Sequence, residues 1–115
     1  MKGYSLAIVG SRTMTDWALF REGIAQCLEN FGELPVKVVS GGAKGADRMA
    51  RVWAKQNEIE LVEFLPDWKG IVRNADIVKA SDKVLAFPSK KGRGTQNTIA
   101  RAQKQNKEVI VLWMD

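Results

Sequence analysis

The chain has 115 residues, 45% of them hydrophobic, enough for a single domain spanning residues 1–115 with its own core and too few for two ordinary domains. One cysteine, Cys27, and no histidine exclude a disulfide scaffold, a structural zinc site and triad hydrolysis, so no metal or cofactor is expected and a reducing, cytoplasmic setting is. A net charge of +5, from 18 basic and 13 acidic residues, favours anionic partners, and between Lys83 and Lys107 seven basic residues occur with no acidic one.

The opening apolar run, Tyr4 to Val9, has the length of a strand and falls short of a signal-peptide core or a membrane span, so neither secretion nor membrane contact is expected. Trp17, Phe20, Ile24, Leu28 and Phe31 then recur at helical spacing. Thr13, Thr15 and Asp16 offer N-cap chemistry before this helix, and Gly32 offers a stop after it. Val36 to Val39 reads as a second strand. The glycine-rich turn Ser40 to Asp47 leads into a helix with Ala46, Met49, Ala50, Trp53 and Ala54 inward. Leu61 to Phe64 reads as a third strand ended by Pro66, and a short helix follows with Ile71, Ala75 and Val78 on one face. Val84 to Phe87 is the fourth strand. Pro88 closes it, Thr95 is positioned to cap a helix running to about Gln105, and Val109 to Trp113 is the fifth strand. Strands that are apolar without alternation suit a parallel sheet covered on both faces, so the fold class is doubly wound α/β.

Six of the ten glycines, Gly10, Gly41, Gly42, Gly45, Gly92 and Gly94, fall in three connections from a strand's carboxyl end into a helix. Right-handed crossovers bring such connections to one edge of a parallel sheet, where ligands bind. Any one of these loops alone reads as a tight turn. Three together, two of them carrying Arg12 or the run Lys90-Lys91-Gly92-Arg93, point to an anion held by amide hydrogens and helix N-termini. Neither the dinucleotide spacing G-x-G-x-x-G nor the ending G-K-[ST] of a P-loop is present, which argues against hydride transfer with NAD and against an ATPase.

Taken in order, Gly10-Ser11-Arg12, Ser40-Gly41-Gly42-Ala43-Lys44-Gly45-Ala46-Asp47, Arg73-Asn74 and Gly92-Arg93-Gly94-Thr95 resemble the YspA-related (cpYpsA-related) branch of the SLOG superfamily, from about Leu6 to Val111. That superfamily groups Rossmann-like domains of Smf/DprA DNA-processing proteins with the Lonely Guy phosphoribohydrolases. The resemblance implies a three-layer Rossmann-like domain, its mostly parallel five-stranded sheet in the order 3-2-1-4-5 with helices on both faces. It implies a nucleotide or nucleotide-derived phosphorylated ligand on these loops, with Gly10, Ser11 and Arg12 in the first, and Ser40, Gly41, Gly42, Gly45 and Asp47 in the second. Gly94 with Thr95 would be the phosphate-facing turn and Arg73 the charged clamp, with Gly92, Arg93 and Asn74 as further ligand-binding residues. A homodimer is a further implication. The Lonely Guy motif P-G-G-x-G-T-x-x-E ends on a glutamate that takes part in cleaving an N-glycosidic bond, and that place is held here by Thr98. Hydrolysis, with Arg73 and Asp47 as the candidate catalytic pair, is therefore an alternative to binding, and single-stranded nucleic-acid binding is another.

Single residues carry competing roles. Arg73, set against the helix dipole, either meets an anion or pairs with Asp76. Asn74 either bonds a ligand or caps its helix. Arg12 either binds phosphate or pairs with Asp47, which could itself contact a ribose hydroxyl or stabilise its helix start. Trp68 in a polar loop either stacks on a base or covers the core's edge, whereas Trp17, Trp53 and Trp113 read as core and Cys27 as inert filler. Arg101, Lys104 and Lys107 read as a solvated face.

Overall fold

A computed structural model of the chain describes residues 3–65 and 71–115, without the side chains of residues 71–73. Strands and helices alternate: β1 (Ser5–Gly10), α1 (Trp17–Phe31), β2 (Lys37–Ser40), α2 (Ala46–Gln56), β3 (Glu60–Glu63), α3 (Ile71–Lys79), β4 (Lys83–Phe87), α4 (Gly94–Lys104) and β5 (Glu108–Val111). The sheet has five strands in the order β3-β2-β1-β4-β5, and every neighbouring pair is parallel. This is the doubly wound α/β arrangement that the apolar runs imply, in the Rossmann-like strand order that the family resemblance implies. Chain direction along the sheet reverses between β1 and β4, the position at which open α/β sheets leave a crevice.

Each face of the sheet has its own core. Leu6 and Ile8 of β1 join Phe20 and Cys27 of α1, Met49, Ala50 and Ala54 of α2, and Leu85 and Phe87 of β4. The alternate residues Ala7 and Val9 turn to the other face and meet Val39, Ile77 and Val78 of α3, Val84, Ala86 and Ala102 of α4. Phe20 anchors the first core, stacked on Phe87 at 5.6 Å and edge-on to Trp17 at 5.3 Å.

Helix ends follow local chemistry in some places and depart from it in others. Asp16 caps α1 by accepting the Leu19 amide at 3.1 Å, and Gly32 ends it in the left-handed region at φ 81°. Thr95 caps nothing: α4 begins one residue earlier, with Arg93 at its N-cap and no side-chain cap bond. Both α2 and α4 finish in a Schellman turn built on a non-glycine residue, Glu58 at φ 53° and Asn106 at φ 60°. Ile59 and Lys107 donate their amides back to Ala54 and Ala102.

Four other expectations need correcting. Leu28 is 46% exposed, because the buried stripe of α1 runs through Phe20, Gly23 and Cys27. Ile77, beside Val78, is buried on α3, whereas Ala75 is only half-buried. Trp113 is 48% exposed, since β5 ends at Val111 and the neighbouring Leu112 takes the inward position. Lys107 lies beyond α4 and not on a solvated face: its ammonium donates to the carbonyls of Val78 and Ser81 at the end of α3.

Burial also sets the chemistry of two core groups. It pushes the Cys27 thiol up from 9.0 to about 12, and burial, followed by the nearby Cys27 and Glu33, pushes the Tyr4 hydroxyl up from 10.0 to about 12. Tyr4 donates to the Glu33 carbonyl at 2.8 Å. The unfolded chain therefore loses these protons first as pH rises. Stability is unaffected below about pH 9 and falls progressively from there toward pH 12. Urea titrations at stepped pH are expected to show this decline, with Cys27→Ala delaying its onset to about pH 10, where Tyr4 begins to contribute. At pH 8 iodoacetamide should label Cys27 only after denaturation; rapid native labelling would contradict the burial.

Candidate ligand site

Three strand-to-helix loops meet over the carboxyl ends of β1 and β4. The first loop turns at Ser11, whose amide donates to the Phe87 carbonyl at 3.1 Å, tying the ends of the two strands together. Its hydroxyl pairs with that of Thr13 at 2.9 Å. The second loop is shaped by its own polar side chains: the Ser40 hydroxyl accepts the Gly42 amide at 3.3 Å, and Asp47 Oδ2 accepts the Ala43 amide at 3.2 Å. It rests on the first loop, with the Ala46 amide 3.3 Å from the Ser11 carbonyl. Gly45, at φ 71°, makes this contact possible, because a Cβ there would lie 2.3 Å from the Ser11 oxygen. In the third loop the Ser89 hydroxyl accepts the Gly92 amide at 3.0 Å, while the Gln96 side-chain amide donates to the carbonyls of Ser89 and Gly92.

Between them lies a crevice of about 350 Å³, a size suited to a small molecule. Gly10, Ser11 and Arg12 line one side, Ala43 and Asp47 a second, Gly92, Gly94, Thr95 and Thr98 a third, with Asn74 and Ile77 of α3 closing it. Neither α2 nor α4 has a side-chain cap: α4 presents Gly94 and Thr95 of its first turn to this space, whereas the amide of Ala46, which opens α2, is taken by the Ser11 carbonyl and only Asp47 of that turn lines the crevice. By contrast α1, whose first turn is not part of the crevice lining, carries the Asp16 cap.

Residues 5–70 match the model of a family described as YspA, cpYpsA-related SLOG. The chain belongs to that family. It is also similar to the Gene 61 protein of Mycobacterium phage D29, with 34% identity over 115 residues covering 90% of this chain and 91% of the phage protein. The family match takes in the first two loops; the third lies beyond it and lines the same crevice.

Of the residues singled out in the sequence, Gly10, Ser11, Arg12, Asp47, Asn74, Gly92, Gly94 and Thr95 line the crevice of this SLOG domain. Ser40, Gly41, Gly42, Gly45 and Arg93 do not. Ser40 is fully buried and shapes the second loop from beneath, while Gly45 faces the first loop's backbone. Arg73 lies within α3, immediately before Asn74, but its side chain is outside the described residues, as is Trp68 altogether. Arg12 is exposed and makes no ion pair among the described residues, so the link to Asp47 does not form. Asp47, 6% exposed, braces the second loop as well as lining the crevice. Val9, Ala43 and Ile77 complete the lining and were not singled out, since apolar or small residues at a strand end or loop carry no chemical signal of their own. Thr98, standing where the Lonely Guy enzymes have glutamate, is buried and donates its hydroxyl to the Gly94 carbonyl at 3.1 Å.

No described helix is long and apolar enough to cross a membrane. Three of the seven cations between Lys83 and Lys107 are internally engaged: Lys83 pairs with Glu108 at 2.9 Å, Arg101 donates to the Asn97 side-chain oxygen at 2.9 Å, and Lys107 holds the end of α3. Lys90, Lys91 and Arg93 remain exposed on the third loop, beside the crevice.

Proposed function

We propose that this SLOG domain binds a phosphorylated nucleoside or nucleotide-derived molecule in the crevice, its phosphate over the first turn of α4 and its ribose hydroxyls toward Asp47, in a cytoplasmic setting. The observation that carries the reading is the start of α4, which has no side-chain cap and presents Gly94 and Thr95 to the crevice, beside Arg12. First-turn amides that meet no side-chain cap and face a small cavity favour an anion there. Binding is favoured over hydrolysis because Thr98 cannot act as a carboxylate and its hydroxyl is committed to Gly94.

Calorimetry with AMP and ribose 5-phosphate tests this, with Gly94→Asp and Arg73→Ala as variants. Nothing lies within 4 Å of a Cβ built on Gly94, so the aspartate fits and places its charge where the phosphate would sit. AMP is expected to bind the wild type and to lose at least about tenfold in affinity with Gly94→Asp, about 1.4 kcal/mol. No heat from either compound, or equal affinity in Gly94→Asp, would overturn the proposal. Chromatography of the same AMP incubations is expected to show no adenine above the Arg73→Ala background, and its release would restore the hydrolase alternative.

A further inference from the structure

On the far side of Arg12 from the crevice lies a second recess, of about 520 Å³, between the start of α1 and the first two turns of α2. Its wall is apolar and aromatic, from Trp17, Met49 and Val52, and its charged side chains are Arg12, Lys44 and Arg48, all exposed cations. None of the three makes an ion pair or side-chain hydrogen bond among the described residues. The contrast with the next turn of α2 is direct, since Arg51 is bound to Glu63 at 3.0 Å. Lys44 and Arg48 also flank the N-terminus of α2, whose first-turn carboxylate, Asp47, lines the crevice and accepts the Ala43 amide. Arg12 lines both cavities, so one guanidinium can bridge two consecutive anionic groups.

We infer that the recess holds the second nucleotide unit of a small dinucleotide whose first phosphate occupies the crevice. Arg12, Lys44 and Arg48 together meet the phosphate between the units, and the wall with Trp17 takes the second ring system. The inference rests on the crevice reading and extends it from one nucleotide unit to two.

Calorimetry comparing AMP with pApA, two adenylates joined 3′ to 5′, separates the two levels. Wild-type protein is expected to bind pApA about tenfold more tightly than AMP, in keeping with one added ring contact and one added ion contact. Arg48→Glu should remove that advantage while leaving AMP affinity unchanged. This substitution places a carboxylate near the helix start, so the fold is expected to persist, and Lys44→Glu serves as a second variant with the same expected result. AMP binding without any gain for pApA, or an equal loss of both ligands in Arg48→Glu, overturns the second-unit assignment alone. If AMP itself fails to bind, the crevice reading and this extension fall together. Binding of a twelve-residue oligodeoxyadenylate far tighter than pApA, with affinity falling steeply as salt rises, would assign the recess to single-stranded nucleic acid and overturn the dinucleotide.

Discussion

Gly45→Ala is expected to destabilise the protein by roughly 3 kcal/mol or more and to abolish ligand binding in the same step. Two costs coincide at this position. The backbone there has φ 71° and ψ −127°, a combination that only glycine adopts readily. The added methyl would also lie 2.3 Å from the Ser11 carbonyl oxygen and 2.6 Å from the Arg12 carbonyl carbon and oxygen. These are backbone atoms, so no rotamer change relieves the overlap; the first and second loops must separate. Separation breaks the Ala46 to Ser11 hydrogen bond and displaces both walls of the crevice to which Arg12 and Asp47 belong. Urea denaturation gives the stability change. Gly94→Ala is the matched control, because its methyl meets open space, and a loss below about 1 kcal/mol is expected there. A Gly45→Ala protein as stable as that control would show that the two loops are not interlocked.

Lys107→Met is expected to cost about 2 kcal/mol, far more than removal of an ordinary surface lysine. The ammonium donates to Val78 and Ser81, two carbonyls at the C-terminal end of α3, where the helix dipole is negative. Methionine keeps the aliphatic stem and loses both charge-assisted bonds. The loss reaches the ligand site because α3 contributes Asn74 and Ile77 to the crevice. Lys104→Met, on an exposed position of α4, should change stability by no more than about 0.5 kcal/mol. Equal urea midpoints for the two variants would show that Lys107 does not secure α3.

The five strands and four described helices were legible because each strand is an apolar run covered on both faces and each helix repeats its apolar residues at the right spacing. Three strand starts were read one residue late because the polar Glu60, Lys83 and Glu108 enter the ladder, and two one residue early because the apolar Tyr4 and Val36 stand just before β1 and β2. Asp16 could be read as a cap among its competitors, but the C-terminal turns at Glu58 and Asn106 could not, since neither position carries glycine. Thr95 misled for an instructive reason: local capping rules assume that the orphan amides are satisfied within the chain, and at α4 they are left open to the crevice. The convergence of the loops followed from topology alone. Which glycine faces the cavity and which faces another loop depends on contacts between segments distant in sequence, so Gly94 and Gly45 were indistinguishable until both loops were in place.

The outermost strands, β3 and β5, are four residues each, and each begins on an exposed glutamate, Glu60 or Glu108, that reaches inward to a lysine of the adjacent strand. Brief, charged borders of this kind discourage a further strand from annealing alongside. A continuous ribbon growing across two molecules is therefore disfavoured at either flank, and both flanks lie apart from the mouth between β1 and β4.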